Sequence, residues 1–360
     1  MTVSTVNVTR VTPAGPTEWD QQFEGISDAG ICQSRFYARV IERVHGAEPL
    51  YLRVTDGQRN AALCLMLRRP RPGVLGMLPV ATLDCIDGPV FLDRNEHTAA
   101  EAIRELLTWV EGYAKKSRIG EIRWTEPAGG ASESDALHMS AVFTSMGYTP
   151  TLWSTFLVDL TQSEDFLWGN LNRAARKGIN KCTRQGVEVR QIRDYKDFQD
   201  AFFRPYRAAQ VGSNQSPSIF EAMFEEDVDQ RYAYFVAEDA YGETLATLGV
   251  HGFGGVSKEI ASSLAPRARE ESIPAQDVLH WQVLKWAKEH GSNTFDLAGV
   301  APDPSDPKEE GIRHFKEKWG GRYVEFHRFE KALAPARFLR STRKALAGLG
   351  GRRFLGKAVR

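Results

Sequence analysis

The order of elements runs through this chain twice, and that recurrence limits the folds open to it. In the first half, a β-branched/polar alternation at residues 3–11 predicts an opening strand. Thr17 reads as an N-cap opening a helix, and residues 34–44 predict a second one with Phe36, Tyr37, Val40, Ile41 and Val44 on one side. Strand-like runs at 49–54 and 61–67 are split by an Asp56-Gly57 turn, and shorter runs follow at 73–79 and 89–92. A strongly amphipathic helix at 99–116, a strand at 119–125 and a helix at 136–146 ended by Gly147 complete the half. The second half repeats the scheme. It has a strand at 155–160, a long helix at 166–184, a strand at 187–192 and helices at 195–210 and 218–227. Antiparallel strands at 232–238, 244–253 and 256–264, a helix at 277–290 and a strand at 294–297 follow. The repeat is one of architecture, with no residue-level repeat. It predicts an α/β chain with mixed sheets (α+β) in two tandem lobes, residues 1–153 and 154–330, then a tail at 331–360.

Charge is unevenly placed along the chain. Its formal net charge is zero, yet residues 331–360 contain no Asp or Glu and nine Lys or Arg, so the preceding body is acidic by the same amount. A basic tail on an acidic body points to an anionic partner, nucleic acid or an anionic membrane surface; a solvated solubilising tail is the plain alternative. Cys32, Cys64, Cys85 and Cys182 form no C-x-x-C pair and have no His at zinc spacing, so reduced thiols and no metal are expected. The N-terminus lacks the apolar core of a signal peptide, and no run is long enough to span a bilayer. A cytoplasmic protein is expected, with any membrane contact peripheral and at the inner surface.

Two stretches carry chemistry. Residues 170–185 hold Arg173, Arg176, Lys177, Lys181 and Arg184 at steps of three and four with no acidic residue between them. Like charges on one helical face repel, and an anion such as a diphosphate, a carboxylate or an RNA backbone would relieve them. Residues 299–326 run from a strand end through a Pro/Asp-rich loop to a short helix bearing Phe315 and Lys316, then through Gly320-Gly321 into another strand. A lysine there is well placed to meet a ligand beyond the carboxyl end of a strand, although an ordinary solvated helix face reads the same way. Asp296, at the end of FDLAGV, is a candidate to orient or deprotonate an attacking amine, with a loop-capping role as its alternative. Phe315 reads most simply as a core residue of its helix. No His has a sequence partner that promotes it.

These residues carry a resemblance. The VDL at 158–160, Arg173-x-x-Arg176-Lys177-Gly178-Ile179, YFVAE at 234–238 and LHWQVLKWAKEHG at 279–291 contribute to it. So do FDLAGV at 295–300 and G-I-x-x-F-K-x-x-W-G-G at 311–321. Together they resemble the FemA/FemB/FemX aminoacyltransferases, a FemAB-like branch of the GNAT acyltransferases. The resemblance is dense from about 157 to 329 and thin in the first half, where 31–37 and Gly88-Pro89-Val90 contribute. It implies two GNAT-like lobes with a cleft between them, and transfer of an aminoacyl group from aminoacyl-tRNA to the amine of a peptidoglycan precursor. It implies that Lys316, next to Phe315, holds the tRNA end and stabilises the oxyanion. It also implies that Arg173, Arg176 and Lys177 grip an anionic, amine-bearing acceptor. No cofactor is implied. Two features depart from the pattern: the coiled-coil arm of some members is absent, and no early first-lobe basic residue aligns, Arg35, Arg39 and Arg43 being candidates. An acyl-CoA donor is the alternative. The matching stretch, 265–277, lacks glycine and contains Pro266 and Pro274, whereas a backbone that approaches a diphosphate closely favours glycine. A non-catalytic adaptor for RNA or a membrane surface is a third reading.

Overall fold

Period-two alternation becomes one mixed sheet that runs through both halves of the molecule. The computed structural model describes residues 9–23, 26, 29–57, 59–70, 81–92, 96–128, 133–209, 218–227 and 231–333. The expected run at 73–79 and all of the basic tail beyond residue 333 lie outside them. The first-half strands are β1 (Thr9–Pro13), β2 (Glu48–Asp56), β3 (Arg59–Arg69), β4 (Ala81–Cys85), β5 (Val90–Phe91) and β6 (Ile119–Thr125). The rest are β7 (Thr149–Asp159), β8 (Glu188–Gln191), β9 (Tyr232–Glu238), β10 (Thr244–Phe253), β11 (Val256–Leu264), β12 (Thr294–Asp296) and β13 (Arg322–Ala332). Their spatial order is β1-β2-β3-β4-β6-β13-β7-β12-β11-β10-β9-β8, with β5 paired to β3. The pairs β4–β6 and β11–β12 are parallel, and the other pairings are antiparallel.

The helices of the first half are α1 (Arg35–His45), α2 (Glu96–Lys116) and α3 (Glu133–Ser145). Then come α4 (Glu164–Asn170), α5 (Arg173–Arg184), α6 (Tyr195–Asp197), α7 (Arg204–Ala209), α8 (Ser218–Glu226), α9 (Pro266–Glu270), α10 (Ala275–Glu289) and α11 (Pro307–Glu317). Two expectations are corrected. The helix expected from Thr17 is only a 3-10 turn, Asp20–Phe23, preceded by Glu18 at φ +61°. A non-glycine residue in the left-handed region interrupts a right-handed helix. The single helix expected at 166–184 is two, because Asn172 adopts an extended conformation and its side chain accepts the Ala175 N–H at 2.8 Å. That is an N-cap, and a new helix starts there.

Three apolar clusters hold the layers together. Leu106, Trp124, Phe143 and Phe329 join α2 and α3 to the first half of the sheet. Ala175, Leu279, Phe295 and Trp319 join α5 and α10 to the second half. The third cluster crosses the molecule, packing Phe36 and Tyr37 of α1 into one core with Phe198, Tyr234 and Val236. β13 binds the halves a second time, since it lies between β6 and β7 and pairs with both. Residue Phe329, late in the chain, thereby stacks on Phe143 of the first-half core at 4.1 Å.

Candidate active site

The site is built where two parallel strands part. β11 and β12 pair from Val256 opposite Thr294 to Lys258 opposite Asp296. β12 then ends, while β11 continues to Leu264. The opening lies at the carboxyl ends of the parallel pair, the usual ligand side of such sheets. Beyond Asp296 the chain turns sharply. Asp296 Oδ1 accepts the Ala298 N–H at 2.8 Å, and Ala298 sits at φ +62°. A non-glycine residue held in the left-handed region is strained backbone of the kind that gathers at functional sites. The turn is fastened to β7, where Leu297 N donates to Phe156 O at 3.0 Å and Val300 N to Ser154 O at 2.7 Å. Gly299 packs so closely on Trp153 that a Cβ there would collide with the indole nitrogen.

Lys316 reaches this turn from α11. Asp306 caps the helix, accepting the Lys308 and Glu309 N–H groups at 2.8 and 2.9 Å, and Pro307 occupies the first turn, where its missing N–H costs nothing. The Lys316 side chain is not a solvated helix face. The residue is 7% exposed, and its ammonium donates to the Ala298 and Gly299 carbonyls at 3.1 Å each. Burial lowers its pKa from the ordinary lysine value, against the pull of Glu259 and Asp296 in favour of the charge. An ammonium has three N–H donors, so two carbonyls leave it a third.

Asp296 lies beside it with both oxygens engaged. Oδ1 takes the Ala298 N–H and lies 2.5 Å from the Thr155 hydroxyl, which also lies 2.7 Å from Ala298 O. Oδ2 is 3.3 Å from Lys258 Nζ. Lys258 in turn lies 3.4 Å from Asp87 of the first half. Burial works against the Lys258 charge, but Asp87 and Asp296 more than offset it and raise its pKa. The carboxylate–lysine–carboxylate chain thus ties the two halves together at the site. Sequence reasoning missed Lys258, Thr155 and Asp87, whose partners lie far away along the chain. It also missed Glu259 and His280. His280 is fully buried on α10, with Nδ1 2.8 Å from Gln276 O and Nε2 3.4 Å from Glu259 Oε2. The available signal was the alternation in VSKEIASSL, which puts an acidic residue at an inward position of a strand.

The structure brings the basic helix to the same corner. The N-cap residue of α5, Asn172, donates its backbone N–H to Lys318 O at 3.0 Å, just past α11. Gly178 of α5 leaves room for Asp277 of α10, which pairs with Lys318; any Cβ at Gly178 would collide with that carboxylate. Arg173 and Lys177 are exposed, and neither forms an ion pair among the described residues. Arg176 is spent differently, since its Nη1 donates to the Trp168 and Gly169 carbonyls at 3.3 and 2.8 Å at the end of α4. Lys181 donates to Ser272 O at 2.8 Å. Phe315 is half-buried, with its ring centroid 4.9 Å from that of His280. In the stretch at 265–277, Pro266–Glu270 form α9, residues 271–274 turn, and Ala275 opens α10. Arg267 of α9 pairs with Asp239, Glu243 and Glu271.

No family model and no curated protein matches the sequence. Solved structures do match the fold. The crystal structure of FemX superposes with a TM-score of 0.73 at 14% identity, covering 92% of this chain and 99% of that one. The C-terminal domain of a putative lysylphosphatidylglycerol synthetase from Agrobacterium fabrum gives 0.57 at 12% identity, covering 92% and 98%. A tandem GNAT protein from the clavulanic acid biosynthesis pathway gives 0.54 at 12% identity, covering 90% and 98%. At these identities the likeness is one of fold, which this chain shares with FemX and with a tandem GNAT protein alike.

Proposed function

We propose that the protein is an N-acyltransferase of the FemAB type, which moves an aminoacyl group from aminoacyl-tRNA to the amine of an anionic acceptor such as a peptidoglycan precursor. The observation that carries this reading is Lys316, buried at the parting of β11 and β12 with two N–H groups on the Ala298 and Gly299 carbonyls and a third to offer. In the reaction the acceptor nitrogen attacks the ester carbonyl, a C–N bond forms, the bond to the tRNA oxygen breaks, and the amine proton ends on that leaving oxygen. The carbonyl oxygen carries negative charge midway. A fixed ammonium in a dry site stabilises it without reorganising. Asp296 holds the Ala298 turn and Lys258, and so orients the group that meets the oxyanion. Arg173 and Lys177, which form no ion pair among the described residues, take the acceptor's anionic part, and Phe315, next to Lys316, packs on His280.

The fold shared with FemX supports the reading, as does the fold shared with a protein named for lysylphosphatidylglycerol, an aminoacylated lipid. An acyl-CoA donor is the second reading, and the tandem GNAT protein, described without AcCoA, is its parallel. Against it, the stretch that would cradle a diphosphate has no glycine for a close backbone approach, and its first part is the helix α9, pinned by Arg267. The deciding experiment offers charged tRNA and acyl-CoA separately, with mass detection on a panel of amine acceptors. Transfer from charged tRNA is expected. Transfer from acyl-CoA alone would replace the donor, and transfer from neither would overturn the proposal.

A further inference from the structure

We propose that Glu259 and His280 form a buried one-proton pair that positions Lys316 and keeps its ammonium in place for the reaction. The inference rests on the reading of Lys316 as the oxyanion donor. It begins with the tautomer of His280. A backbone carbonyl can only accept, so Nδ1, 2.8 Å from Gln276 O, carries a hydrogen. Nε2 then faces Glu259 Oε2 at 3.4 Å. Were Nε2 bare and Glu259 ionised, two acceptors would oppose each other where water has little access. His280 is 0% and Glu259 9% exposed. An unsatisfied pair of that kind is costly to bury. One proton therefore lies between them, as imidazolium with carboxylate or as imidazole with carboxylic acid.

Two routes lead from the pair to Lys316. The first is packing. The His280 ring lies 4.9 Å from Phe315 and 5.2 Å from Trp319, which flank Lys316 in the chain, so the imidazole sets how α11 sits on the sheet. The second is charge. The groups acting on the Lys316 ammonium are Glu259 and Lys258 from β11 and Asp296 from β12. The Asp296 oxygens are already committed to Thr155, Ala298 N and Lys258. Glu259 is the carboxylate that faces His280 instead. Without it, a lysine whose burial already lowers its pKa would give up its proton more readily. Glu259 and His280 are thus positioning residues that act through Lys316.

The test titrates Lys316 directly, in full-length protein with isotope-labelled lysine side chains followed by NMR and assigned with Lys316→Met. In Glu259→Gln the amide can still donate to His280 Nε2, so the pocket stays hydrogen-bonded while the charge is gone. The Lys316 midpoint is expected to fall to lower pH, and Glu259→Asp to restore it towards the parent. Glu259→Ala, which removes the carboxylate outright, gives a fall in the same direction and stands in if the Gln variant does not fold. An unchanged midpoint in these variants overturns the pair's role. The second arm follows kcat against pH. The alkaline limb should fall in step with the NMR midpoint while the acceptor KM stays constant, whereas a purely structural change would lower kcat at every pH alike. A moved midpoint with an unmoved limb overturns the positioning role together with the Lys316 reading. A parent protein that transfers nothing overturns the proposed function, and the NMR arm then decides the pair by itself.

Discussion

At the scale of single residues, Lys316 shows how position changes chemistry. In a solvated helix face its ammonium would be one charge among many. Buried over the Ala298–Gly299 turn, it is fixed by two carbonyls and surrounded by low dielectric, where charge–charge effects are larger. Lys316→Met keeps length and apolar bulk, so the fold should persist. Transfer should fall by a factor on the order of 100 to 1,000, the usual contribution of an oxyanion donor. Single-turnover kinetics with saturating donor, alongside circular dichroism, measures both; equal turnover in mutant and parent would sink the assignment. The turn itself joins Asp296, which the sequence singles out, to Thr155 and Trp153, which it does not. Thr155 and Asp296 hold Ala298 in the left-handed region, and Trp153 leaves no room for a side chain at Gly299.

At the scale of elements, α5 divides its basic residues between two tasks. Arg176 closes the carbonyls at the end of α4, while Arg173 and Lys177 are exposed and form no ion pair among the described residues. Arg173→Ala should therefore raise the KM for a diphosphate-bearing acceptor more than it lowers kcat, with unfolding free energy unchanged. Arg176→Ala should also cost about 1 kcal/mol of stability through its lost hydrogen bonds. Urea unfolding and initial-rate kinetics on the two variants separate these effects. Acceptor binding indifferent to Arg173→Ala and to salt would remove α5 from the site.

At the scale of the whole molecule, β13 decides what can fold alone. It pairs with β6 and β7 at once and delivers Phe329 to the first-half core. A fragment ending at residue 321 leaves two central strand edges unpaired, and such edges aggregate. We expect it to lack a cooperative unfolding transition by calorimetry; a sharp transition near the parent Tm would show that the halves fold without the strand. The tail differs. Lys331, the first of its nine basic residues, belongs to β13 and pairs with Glu111 at 2.6 Å, while the others lie outside the described residues. Each Lys or Arg close to an anionic bilayer contributes roughly 1 kcal/mol of attraction. Among the described residues no helix is long and apolar enough to cross a membrane. Removing residues 337–360 should lower co-sedimentation with anionic vesicles and leave transfer to a soluble acceptor analogue largely intact. If transfer from charged tRNA is lost instead and vesicles never bound, the tail belongs to the RNA; if neither changes, its charge serves solubility.

Much of the fold was legible in the sequence because its signals are local. Periods of two and 3.6 marked the strands and helices, Gly147 marked a helix end, and the Lys316 stretch stood out because a loop and a short helix follow a strand's end. The acid-free run from Asn170 to Gln185 was equally local. What the sequence left open depended on distance along the chain. Glu259 and His280 are 21 residues apart, Lys258 and Asp87 171, and Thr155 and Asp296 141. No periodicity links such positions; the pairing of β12 with β7 joins Thr155 to Asp296, α10 brings His280 to Glu259 of β11, and the first-half segment after β4 brings Asp87 to Lys258. Asn172 was read as helix interior because propensity is weak there, until its side chain found the Ala175 N–H and ended α4. The sequence by itself determined which segments are strands and helices and that a lysine follows the β12 turn. Only the tertiary structure decided that this lysine is buried, because burial depends on what it meets: the Ala298 and Gly299 carbonyls of a turn fastened to β7 by contacts that close long loops.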